Sequence, residues 1–355
     1  RARFPYPGGK AEIVRGVVLD KEPPLGAWDE PAGRAEGEQL QRLRVATRQG
    51  ILRADNPITG SPVVDRIPDV GDEVLLRVRD LGRERYATMR EIARDRWILR
   101  LAAAVACGIV LVFGRTGIRA LLALVVSCLL VVALARTIML VRGGEIWLTL
   151  AAAALAIGST YVILCGPTRK ALAAGGGAML GLALGAVLAL VVSRPANLSG
   201  LQDLDLAAIQ RFSSGRSLHF DQLLAAGILL GTLGVVMDVA MAVASAVGEV
   251  SDAAPALEAP ELRAHGMAVG RKVMGAMIMA LALAYLGVRF GLFLLPHTEP
   301  GVTVWQTVGT ERVAAEACRL LVGLTAIVWT VPATAWLAAR LEASRLRAAP
   351  NENGD

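Results

Sequence analysis

ALAAGGGAMLGLALGAVLALVV, residues 171–192, runs for 22 positions without a charged side chain. A helix crossing the bilayer's hydrocarbon needs about 20 predominantly apolar residues, so this stretch reads as a transmembrane helix. Gly177, Gly181 and Gly185 make two overlapping G-x-x-x-G steps within it, a spacing that lets helices approach closely in lipid. Helix packing explains these glycines fully. Working outward, segments with few or no charges recur at 97–113, 118–141, 146–166, 223–250, 270–295 and 314–339. In the first of these Arg100 lies near the end, where arginine can snorkel beside an interfacial residue such as Trp97. Pro332 falls inside the last, where bundle neighbours can re-satisfy the backbone. The fold class is mainly α: a polytopic transmembrane bundle of about seven helices.

Residues 1–96 are different in kind. They hold 18 of the 37 basic side chains, and β-branched residues and leucines alternate at period two over 11–20, 40–48 and 73–78. Asn56-Pro57, Gly60 and Pro62 read as punctuation, and Val70-Gly71-Asp72-Glu73 as a turn into a strand. This predicts a small soluble β-barrel or β-sandwich over 1–96, with a Pro-, Gly- and Glu-rich loop at 21–39. The transmembrane domain then covers 97–340 and a polar tail 341–355.

Composition narrows the function. The net charge of +6 rests almost wholly on arginine, since lysine occurs only at 10, 21, 170 and 272. Those arginines are scattered and aromatics are few (5%), which argues against nucleic acid and for lipid headgroups. Cys107, Cys128, Cys165 and Cys318 lack C-x-x-C spacing, and His219, His265 and His297 stand singly in connecting segments; neither a metal site nor a cofactor is expected. Residues 1–9 have no apolar core, so either the first apolar helix carries targeting or a segment lies upstream. With residues 1–96 outside, ten basic residues fall on the cytoplasmic side against seven on the other. The positive-inside rule then favours an extracytoplasmic β domain, while the arginines crowding 79–96 argue the other way. Between the fourth and fifth spans, residues 201–212 read as an interfacial or loop helix.

The segment 223–250 carries the candidate site. Steps of three and four place Gly227, Gly231, Gly234, Asp238, Ser245 and Glu249 on one stripe. A carboxylate at mid-span costs at least ~2.5–3.5 kcal/mol, so it requires a partner, a proton or water. Asp238 is either a proton or cation site, or a protonated or paired structural residue. In the next span Arg271 and Lys272 accompany Gly266, Gly270 and Gly275; antiparallel packing would make Glu249–Arg271 a better ion pair than Asp238–Arg271.

These residues resemble a known family. Residues 234–246 (GVVMDVAMAVASA), 266–271 (GMAVGR), Met274-Gly275 and Leu283-Ala-Tyr285, with supporting matches at 114–122 and 198–201, are similar to the YibE/YibF family of bacterial multi-pass membrane proteins. The resemblance implies a permease-like bundle in the cell membrane, a β-rich segment before it, and a further helix preceding that segment. It implies no substrate. Asp238, Ser245, Arg271 and Tyr285 keep the family pattern. Ala242, Lys272, Ala276, Ile278, Met279 and Ala280 depart from it, which makes any path along the sixth span drier.

Two readings follow: a permease-like transporter subunit working through Asp238, or a non-conducting receptor or assembly factor whose β domain binds an extracytoplasmic ligand. A paralogous membrane subunit or a second copy is the expected protein partner. Enzymatic chemistry is not expected. Asp238 is the single aspartate deep in a span, no histidine lies inside one, and Gly175-Gly-Gly177 lacks the G-K-[ST] of a phosphate loop.

Overall fold

The computed structural model describes residues 11–23, 39–58, 65–80, 85–141, 143–193, 195–196, 198, 219–294 and 304–348. The chain divides into two compact units, Arg1–Ile109 and Val110–Asp355.

The first unit contains five strands: β1 (Ala11–Lys21), β2 (Gln39–Thr47), β3 (Gly50–Ile58), β4 (Glu73–Asp80) and β5 (Arg85–Ile92). They close a barrel in the order β1-β2-β3-β5-β4. Every pairing is antiparallel except β3 with β5. Alternation puts Val18, Leu43, Val45, Ala54, Val74, Leu76 and Ala87 inside, all 2% exposed or less. At Gly16 β1 passes so close to β2 that a Cβ would fall 2.6 Å from the Ala46 carbonyl oxygen. The barrel expected from the sequence is present, with two strands more than the alternation marked. Asn56-Pro57, expected as punctuation, lies within β3. Asn56 is buried there, and its amide donates to Gln41 Oε1 (3.2 Å) and to the Arg66 carbonyl (2.7 Å). Those bonds satisfy a side chain that otherwise favours turns. The expected turn into β4 is present, with Gly71 N–H donating to the Val18 carbonyl.

Helices follow: α1 (Asp95–Leu140), α2 (Glu145–Cys165), α3 (Arg169–Ser193), α4 (Phe220–Ala253), α5 (Ala259–Val288) and α6 (Glu311–Ala348). Short helical segments Phe290–Leu294 and Val304–Val308 lie between the last two. Six helices among the described residues are long and apolar enough to cross a membrane. The first two of the roughly seven expected spans, 97–113 and 118–141, are the two arms of α1, helices that meet at a kink and together count 46 residues. At about 1.5 Å per residue such an element is some twice the hydrocarbon thickness. Its break falls at Gly114, whose φ of 55° and ψ of −128° are non-helical, a left-handed conformation that only glycine adopts at little cost.

Within the second unit α3, α4 and α6 form the core. Gly177 and Gly181 meet Thr334 and Thr330, and Gly185 meets Ala326, in consecutive turns of α6. A Cβ at Gly177 would sit 2.7 Å from the Thr334 Cα. The contact is nearly backbone on backbone, the geometry small residues permit in lipid. α5 closes on α4 and α6 through Gly266 and Gly270, which meet Val247, Ala335, Val243 and Val331. It begins earlier than the expected 270, because Glu258 and Glu261 form a reciprocal capping box. The interfacial helix expected at 201–212 lies outside the described residues.

Candidate functional site: the Asp238 stripe

α4 is buried on one side by Leu229, Val236, Val239, Ala240, Val243 and Val247. On a helix, residues two positions from this set point the other way. Gly227, Gly231, Gly234, Asp238 and Glu249 are accordingly exposed, and Ser245 is half-buried. No atom comes within 4 Å of a Cβ placed on Gly227 or Gly234. Unlike Gly177, Gly181 and Gly185, these two glycines face open space among the described residues.

Neighbouring helices flank the stripe. On the α2 side, Tyr161 is 3% exposed and its hydroxyl donates to the Met237 carbonyl at 2.8 Å. One turn along, Cys165 Sγ lies 3.9 Å from Met241 Sδ. On the α5 side, the Tyr285 hydroxyl reaches to 2.5 Å from where a Gly231 Cβ would be. That hydroxyl oxygen is buried without a hydrogen-bond partner among the described residues. Asp238 follows Met237 directly and lies about two turns beyond Gly231 on α4; it is exposed, with no ion pair or hydrogen bond recorded among the described residues.

The structure does not pair Glu249 with Arg271. Both are exposed, and no ion pair joins them. Gly266 and Gly270 carry α5 onto α4 at Val247 and Val243; Arg271 follows about 100° round one helix, and Glu249 about 200° round the other. Lys272 and Gly275 are exposed as well, and no atom lies within 4 Å of a Cβ on Gly275. Asp238, Ser245 and Glu249 therefore share a helix, Tyr285 joins them at Gly231, and Arg271 stands apart.

Three charged clusters were not anticipated. Arg289 Nε and an Arg319 guanidinium nitrogen lie 2.9 and 3.0 Å from Glu316 Oε1, near Tyr285. Glu145 is 1% exposed, its Oε1 accepting from the His219 backbone N–H at 3.4 Å, with the imidazole at 3.6 Å. Where α4 and α6 end, Asp252 bridges Lys170 (3.7 Å) and Arg345 (2.7 Å). Each couples the ends of two or three helices. The signal in the sequence was modest: the i,i+3 pairs Glu316/Arg319 and Glu342/Arg345, hidden because they fall where a span meets its boundary.

These features define a class, a multi-pass helical membrane protein with an N-terminal barrel and a carboxylate exposed at mid-span. The model of the YibE/F-like protein family matches residues 101–344. The chain belongs to that family. No curated protein and no solved structure matches it.

Proposed function

We propose that this YibE/F-like chain is a permease-like transporter subunit of the bacterial cell membrane, with no enzymatic activity. In this reading its barrel is extracytoplasmic, and Asp238 binds a proton or cation during transport. The supporting observation is the open small-residue stripe at mid-span, where a carboxylate stands exposed with no hydrogen bond or ion pair among the described residues. Facing lipid, that carboxylate would cost at least ~2.5–3.5 kcal/mol. Water, a bound proton or cation, or a second transmembrane chain must meet it. A second chain on this stripe, a paralogue or another copy, would turn an open groove into a path with Asp238 on its wall. Tyr285 and Ser245 would supply hydroxyls along it, and the chemistry is that of an ion site built from one acid and small residues.

The test is flux through proteoliposomes holding the full chain, loaded with a pH-sensitive dye and challenged with proton and cation gradients. Wild type should carry flux, and Asp238→Asn should reduce it tenfold or more without loss of folded protein. Equal flux in both would refute the role of Asp238. No wild-type flux with any candidate partner would favour the second reading, a non-conducting receptor or assembly factor. The barrel, with its exposed cleft, is the feature that favours that alternative.

A further inference from the structure

Among the features left unused by this reading is a cleft of about 740 Å³ in the first unit. Its origin lies in strand register. β1 pairs with β4 from Ala11↔Arg79 onward, but its pairing with β2 begins only at Gly16↔Thr47. β2 ends there and turns back through Arg48-Gln49 to Gly50. Residues 11–15 consequently have one edge in a ladder and the other beside the hairpin tip. The notch between is the cleft, with Glu12, Ile13, Val17, Arg15, Arg48 and Arg96 on its walls.

The charges divide into two sets. Arg15 contacts Glu73 and Asp95, and Arg96 contacts Glu73, so these four lock the barrel to the first turn of α1. Arg48 and Glu12 are exposed and have no recorded partner among the described residues. Ile13 and Val17 add apolar surface, 53% and 38% exposed.

Position supplies the last constraint. β5 ends at Ile92 and α1 begins at Asp95, which leaves no slack between barrel and helix. The next residues are Trp97, 71% exposed with the Arg100 guanidinium 5.3 Å from its ring, and then the apolar run. Trp and Arg in that order mark the headgroup level of a spanning helix. The charge lock therefore holds the notch at the membrane–water boundary.

We infer that the notch binds an aminophospholipid headgroup, with its phosphate on Arg48, its primary ammonium on Glu12, and its first methylenes over Ile13 and Val17. A cation, an anion and an apolar floor at the interface match a zwitterionic amphiphile better than a purely anionic one, which would gain nothing from Glu12. Phosphatidylcholine lacks N–H groups to donate to a carboxylate, so the site discriminates ethanolamine from choline.

Native mass spectrometry of the full chain, released from micelles doped with equal phosphatidylethanolamine, phosphatidylcholine and phosphatidylglycerol, reads this directly. Wild type should retain phosphatidylethanolamine roughly fivefold over phosphatidylcholine. Arg48→Ala should lower that retention roughly fivefold, the effect of about one arginine at a membrane surface, and Arg48→Lys should restore most of it. Glu12→Gln should erase the ethanolamine–choline preference while leaving phosphatidylglycerol retention unchanged. Equal retention of all three lipids by wild type, unchanged phosphatidylethanolamine retention in Arg48→Ala, or an unchanged ethanolamine–choline preference in Glu12→Gln overturns the inference. Displacement by millimolar phosphoethanolamine as effective as by the intact lipid also overturns it, because the ligand would then be a soluble phosphomonoester.

Discussion

Two stripes of glycine, alike in sequence, have opposite surroundings. On α3, Gly177, Gly181 and Gly185 are buried against Thr334, Thr330 and Ala326, close enough that any added Cβ meets α6. On α4, Gly227 and Gly234 have nothing within 4 Å of a Cβ, and the stripe ends at an exposed carboxylate. The first is a finished helix–helix seam, polar only through hydroxyls such as Thr330, which bonds to the Ala326 carbonyl of its own helix at 2.7 Å. The second has the same capacity for close approach, and among the described residues the Tyr285 hydroxyl reaches it at Gly231 while Gly227 and Gly234 stay uncovered. Small residues thus say where a helix can come close; what stands beside them decides whether one already has.

Substitution should separate the two sharply. Gly181→Val would drive a side chain onto the Thr330 hydroxyl and the Ala326 carbonyl oxygen, which lies 2.8 Å from the new Cβ. Overpacking of this kind costs 1–3 kcal/mol or more, and neither backbone can yield. We expect loss of the monodisperse peak in size-exclusion chromatography. Gly234→Val places its Cβ in open space, and its thermal midpoint should stay within a few degrees of wild type; equal collapse of both variants would erase the distinction. Next in size is Tyr161→Phe, which removes the hydroxyl donated to the Met237 carbonyl beside Asp238. A net loss of about 1 kcal/mol should appear as a lower thermal midpoint, with faster hydrogen exchange in α4 around residue 238.

The smallest effect lies in the barrel. The Lys21 ammonium, 2.6 Å away, holds the exposed Asp69 carboxyl below its ordinary value. A depressed folded-state value means the pair stabilises above the unfolded carboxylate pKa of about 3.9, and the contribution fades as pH falls through the folded value. Wild type should therefore melt slightly above Lys21→Met at pH 7, and the two should converge in acid. A gap that persists below pH 2 would mean that Lys21 acts through packing.

Much of this was legible in the residues. Charge-free runs of about 20 positions mark a membrane helix with little ambiguity, because lipid offers the backbone no other partner. β1, β2 and β4 were visible as period-two alternation. β3 and β5 were missed because their marks are weak: Asn56-Pro57 reads as a turn until the Asn56 amide finds partners inside the barrel. For the site, periodicity placed Asp238, Gly231 and Gly234 on one stripe, but no period says which side of a helix the bundle takes. That choice rests on the bulk of Leu229, Val236 and Val243 in the bundle core, with Leu229 reaching Gly185 of α3 and Val243 reaching Gly270 of α5, a tertiary fact. The Glu316 cluster and Glu145 escaped because a charge at the end of a span reads as solvated; here Glu145 is 1% exposed.

Transport through Asp238 requires the stripe around it to be an open, wettable face. Water access is read by replacing the four native cysteines, introducing Asp238→Cys, and measuring labelling by a membrane-impermeant thiol reagent in oriented vesicles, with a permeant maleimide as control. An open stripe gives labelling from at least one side, slowed when a partner chain or a transported cation is supplied. Full reaction with the permeant reagent and none with the impermeant one, from either side, would contradict it and leave Asp238 a structural residue sealed from water.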